Sequence, residues 1–82
     1  MALSQTQDAI MRMLAAARGR PIEMPVIAGK TEDEIMEAIE GLKKRQYVRV
    51  DGPPNGNTLI GQDVDEMNLM PFGVDYLRTL TR

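Results

Sequence analysis

An α+β fold, in the order helix, short helix, helix, β-hairpin, C-terminal helix, is what this sequence predicts. Three observations carry that expectation. Two stretches repeat apolar residues at helical spacing behind a Ser or Thr cap. "YVRVD" alternates as a strand does and runs into a turn cluster, "GPPNGN". Pro71 then opens a last amphipathic segment, "PFGVDYLRTLTR".

The first helix is expected from about Ser4 to Arg18. Ser4 stands three residues before Gln7, the spacing at which each side chain satisfies the other's backbone N–H. Ile10, Met13, Leu14 and Ala17 follow at helical spacing. Arg18 falls in the last turn, where a cation suits the helix dipole; Gly19 closes the helix and Pro21 forbids its continuation. "PIEMPVIAGK" holds one or two turns at most, with Pro25 opening a brief helix through Ala28 and Gly29 closing it. Thr31, paired with Glu34 at capping-box spacing, starts the strongest helix. Glu32, Asp33 and Glu34 lie in its first turn and Lys43, Lys44 and Arg45 in its last, both as the dipole favours. At 100° per residue, Ile35, Ala38, Ile39 and Leu42 share one face, and Asp33, Glu37, Glu40 and Lys44 share the opposite one.

Tyr47, Val48 and Val50 mark the first strand, "TLIG" is a short strand candidate, and "MNLM" is a third strand returning beside the first. In the final helix Phe72, Tyr76, Leu77 and Leu80 can reach the core, and Gly73 is expected at a close-packing or helix-start position. The predicted core is Ile10, Leu14, Ile35, Ile39, Leu42, Val48, Val50, Leu69, Phe72 and Leu77.

Composition bounds the function. Residues 1–82 make one domain, burying roughly 60% of the surface its unfolded chain exposes. That leaves no room for a separate sensing unit, so a signal is expected through a partner or a shallow surface site. The chain has no Cys and no His, which removes the thiol nucleophile, the commonest general base and the commonest zinc ligand. No phosphate loop is present either, so enzyme activity is not expected, and no cofactor is implied. Asp63, Asp65 and Glu66 fit a solvated loop better than a calcium site, which needs more ligands at other spacings. The apolar runs are too short to span a membrane, and no export signal opens the chain, so the cytoplasm is the expected location. Seven Met is a high count; Met11, Met36 and Met67 either fill the core or form adaptable patches for a partner.

Two segments carry a family resemblance. "LKKRQYVRV", Leu42 to Val50, resembles the end of a winged-helix recognition helix entering the wing. "LMPFGVDYL", Leu69 to Leu77, resembles the step from the wing into the last helix of many bacterial winged-helix regulators, such as the multiple-antibiotic-resistance type. Order and spacing agree over nearly the whole chain. The resemblance implies a winged helix-turn-helix and sequence-specific DNA binding by a repressor or activator. Gln46 stands where that pattern has Gly, and Met70 where it has Thr.

The charges pull the other way. Residues 31 to 42 hold five carboxylates and no Lys or Arg. From Val50 through Leu77 there is no Lys or Arg at all. Recognition helices and wings that grip DNA rely on cations near phosphates. Three readings follow. In the first, a DNA-binding regulator, allowed to be a homodimer, makes its contacts through Lys43, Lys44, Arg45, Arg49 and Lys30. In the second, Asp33, Met36, Glu37 and Glu40 form a surface for a basic protein partner, without DNA. A third is an acidic decoy that occupies a nucleic-acid-binding site on another protein.

Overall fold

The first helix, α1 (Gln5–Ala16), begins at a complete capping box. The Gln7 N–H donates to Ser4 Oγ at 3.2 Å, and the Ser4 N–H donates to Gln7 Oε1 at 3.1 Å. In this computed structural model, which describes residues 3–80, four further elements follow. They are α2 (Glu32–Lys44), β1 (Val48–Asp51), β2 (Glu66–Leu69) and α3 (Pro71–Leu80).

Helix α1 stops two residues short of the predicted end. Arg18 and Gly19 both take left-handed backbone, with φ of 53° and 88°, and the Arg18 N–H closes on the Ala15 carbonyl at 3.1 Å. The turn lets Ile22 reach β2. There it exchanges both backbone hydrogen bonds with Met67, at 2.9 and 2.7 Å. This single rung flanks β2 on the side away from β1.

The brief helix predicted over Pro25–Ala28 does not form. That segment is irregular, closed by a turn in which the Lys30 N–H donates to the Ile27 carbonyl at 3.1 Å. Pro25 has no donor, Val26 and Ile27 are both β-branched, and four residues cannot repay helix nucleation.

At Thr31 only half of the predicted capping box forms. The Glu34 N–H donates to Thr31 Oγ1 at 3.1 Å, while the Glu34 carboxylate pairs with Lys30 at 3.9 Å. Helix α2 ends in a Schellman motif: Gln46 N–H bonds the Lys43 carbonyl at 2.9 Å and Tyr47 N–H bonds the Leu42 carbonyl at 3.0 Å. Gln46 therefore sits at φ 60°, a conformation that glycine adopts without strain. Gln46→Gly is expected to stabilise the fold by roughly 1 kcal/mol, read as a higher urea midpoint at unchanged slope.

Tyr47 joins three elements. Its N–H closes α2, and its carbonyl accepts from the Met70 N–H at 2.9 Å. Its ring stacks on Tyr76 of α3 at 5.2 Å between centroids. Strands β1 and β2 are antiparallel, pairing Val48 with Leu69 and Asp51 with Glu66 at the two ends. The hairpin continues past them, with Asp65 N–H to the Asp51 carbonyl and Asp63 N–H to the Pro53 carbonyl, both at 2.9 Å. "TLIG" is not a strand. It lies in consecutive turns, where the Thr58 hydroxyl bonds the Gln62 carbonyl at 2.7 Å and the Asn57 N–H bonds Asn55 Oδ1 at 2.9 Å. Such local side-chain bonds compete with strand pairing.

One apolar cluster joins α1, α2 and the hairpin: Ile10, Met11, Leu14, Ile35, Ala38, Ile39, Leu42, Val48, Val50 and Met67. Leu69 and Leu77 pack against its edge, half-buried. Phe72, predicted in the core, is 57% exposed, and Leu80 is exposed too. The reason lies at Gly73. A Cβ there would collide with the Tyr47 carbonyl, so the α3 face centred on Gly73, Tyr76 and Leu77 meets the domain. Phe72 is turned 100° away from it.

Candidate interaction surfaces

Helix α2 is amphipathic because its apolar residues recur on one stripe, which the core takes up. The opposite stripe must then face water. Asp33, Glu37 and Glu40 recur at intervals of four and three along it. Asp33 and Glu37 are exposed and Glu40 is half-buried. Among the described residues Glu32, Asp33 and Glu37 make no ion pair. Met36, predicted to contribute to this surface, is only 4% exposed. It lies about 60° from Ile39, at the edge of the buried stripe, and belongs to the interior rather than to a partner face. Met11 and Met67 are likewise sealed in the core.

Beside the carboxylates runs a shallow groove of about 500 Å³ between the start of α1 and α2. Its walls include Ser4, Gln7, Glu34, Glu37 and Glu40, and its floor is Ala38 and Gly41. Gly41 lets the Gln7 side chain lie against α2; a Cβ there would meet it. Gln7 Nε2 also donates to the Ala38 carbonyl at 3.4 Å. Sequence periodicity cannot show that this cap residue crosses to another helix, so Gln7 was legible only as a cap.

The structure gives each of the five basic candidates a partner within the chain. Lys30 pairs with Glu34 at 3.9 Å, Lys44 with Glu40 at 4.0 Å and Arg49 with Asp51 at 3.3 Å. Lys43 Nζ donates to Gln62 Oε1 at 3.2 Å. Gln62 Nε2 in turn donates to the Gly52 carbonyl at 3.3 Å, so Lys43 ties α2 to the hairpin loop. The Arg45 guanidinium lies over the Tyr47 ring, 5.9 Å from its centroid. These ion pairs are exposed and weak, and a phosphate can replace them. Their partner carboxylates would nevertheless stay beside that phosphate.

In the hairpin loop Asp63 Oδ1 accepts from Asn55 Nδ2 at 2.7 Å. Among the described residues no three acidic groups converge to hold a metal ion. At α1, Asp8 bonds Arg12 at 2.7 Å and raises the arginine's pKa, chiefly through that hydrogen bond. Among the described residues no helix is long and apolar enough to cross a membrane. No family model matches the chain, and no curated protein or solved structure matches it.

Proposed function

We propose that the protein is a small winged-helix regulatory protein that works in the cytoplasm by protein contact, with the carboxylate face of α2 as its docking surface. Support for the winged-helix reading comes from the order α1, a single rung at Ile22, α2, hairpin, α3. In it α2 takes the recognition-helix place and the Val48–Leu69 hairpin the place of the wing.

One observation carries the choice of partner. The stripe of α2 that a DNA-reading helix would turn to the groove presents Asp33, Glu37 and Glu40, and the cations nearest it, Lys30 and Lys44, already face Glu34 and Glu40. Two unit charges 4 Å apart interact by about 1 kcal/mol in water and by more where water is excluded, so several carboxylates against phosphates oppose docking in that pose. The same charges favour a helix or loop rich in Lys and Arg. DNA contact through Lys30, Lys43, Lys44, Arg45 and Arg49 is the competing outcome.

An NMR titration of the ¹⁵N-labelled protein with an Arg/Lys-rich helical peptide tests the reading. Shifts centred on Asp33, Glu37 and Glu40 are expected, weakening with salt. Glu37→Lys combined with Glu40→Lys is expected to abolish them while leaving the melting temperature within a few degrees, because both side chains leave the core untouched. Shifts confined to Lys43–Arg49, or none, would sink it.

A further inference from the structure

Where α1, β2 and α3 meet lies a shallow groove of about 400 Å³. Ala15, Leu69, Val74 and Leu77 supply apolar wall, and the two charged residues that line it are Arg18 and Arg78. Among the described residues no carboxylate lines it, although the chain as a whole carries a net charge of -2. Arg18 makes no ion pair among the described residues. Among the contacts of Arg78 is an ion pair with Asp75 at 3.7 Å; both side chains are largely in water, so a ligand anion can replace this pair, with Asp75 staying nearby.

We infer that this groove binds a small amphiphilic carboxylate, an apolar body carrying one anionic group. An apolar wall with a few convergent polar groups is the usual make-up of a small-molecule site, and its volume lies within the range of such sites, roughly 300–1,000 Å³. A guanidinium offers paired N–H donors that match a carboxylate. The ligand's apolar part covers Leu69, Val74 and Leu77, and its carboxylate meets Arg18 and Arg78. The site shares no lining residue with the groove beside the α2 carboxylates.

Decanoate is a suitable probe, with decanol and decyltrimethylammonium as its neutral and cationic counterparts, followed by ¹⁵N NMR below micelle-forming concentrations. Decanoate is expected to shift the amides of Ala15, Leu69, Val74 and Leu77. The cationic counterpart should bind at least about tenfold more weakly, the factor lost with one charge-assisted hydrogen bond. Arg18→Gly suits the left-handed backbone at that position, so it removes the cation without threatening the fold. It and Arg78→Gln are each expected to weaken decanoate severalfold. Equal binding of the three probes, shifts elsewhere, no shifts, or decanoate binding unaffected by both variants would overturn the assignment.

Discussion

Replacing Ile39 with alanine is expected to cost about 2–5 kcal/mol, the range for emptying a fully buried aliphatic site. Ile39 is 0% exposed and sits mid-helix on the buried face of α2, in the cluster that joins α1 to the hairpin. Alanine's better helix propensity returns only a few tenths of a kcal/mol. A domain of 82 residues has about 4–12 kcal/mol to lose at roughly 0.05–0.15 kcal/mol per residue. The variant should therefore melt roughly 8–40 °C lower, at about 4–8 °C per kcal/mol. Leu59, 57% exposed at the hairpin tip, is the control: Leu59→Ala should change stability by less than about 0.5 kcal/mol. Equal effects at the two sites would mean that the apolar stripe of α2 is not the core.

Gly73→Ala is diagnostic through its sign. In an ordinary helix interior this change stabilises by about 1 kcal/mol, because alanine restricts the unfolded chain and favours helix. Here the new methyl would run into the Tyr47 carbonyl and stand 3.1 Å from a Leu69 methyl. The carbonyl belongs to the backbone and is held by the Met70 N–H at 2.9 Å, so it cannot swing aside cheaply. Overpacking of this kind costs about 1–3 kcal/mol. A net loss in urea unfolding, with the Tyr47–Tyr76 stack disturbed in near-ultraviolet circular dichroism, is the expected result. A gain would show that α3 does not approach the hairpin this closely. Gly56→Ala, where nothing lies within 4 Å of the added methyl, should be close to neutral.

Much of the architecture could be read from residue order because it is locally encoded. Ser4 with Gln7, the apolar stripe Ile35–Leu42, the alternation at Val48 and Val50, and Pro71 each announce their element within a few positions. What escaped reading depends on contacts distant in sequence. The Ile22–Met67 rung joins residues far apart in the chain, and nothing near Ile22 signals it. Phe72 looked like a core residue because it is large and apolar, yet the close approach at Gly73 sets which face of α3 is buried. Met36 looked exposed beside its acidic neighbours because periodicity assigns a face and not its width. The left-handed place of Gln46 was foreshadowed by the Gly expected there.

For the surface, the carboxylate stripe was fully legible, since Asp33, Glu37 and Glu40 needed only helical spacing. The pairs Lys30–Glu34 and Lys44–Glu40 follow the same helical spacing, and Arg49, expected to pair with a neighbouring carboxylate, meets Asp51 two residues along β1. The Lys43–Gln62 link and the groove between Arg18 and Arg78 could not, because each brings together segments that only the fold makes neighbours.

Fluorescence anisotropy of labelled mixed-sequence duplex DNA, titrated with the protein over a salt series, tests the carboxylate-faced partner surface most directly. A flat signal to high micromolar protein even at low salt is the expected result. Micromolar binding that weakens steeply as salt rises, the mark of cations neutralising phosphates, would contradict it, and more so if Lys43→Ala, Lys44→Ala or Arg49→Ala abolished it while Glu37→Lys did not strengthen it.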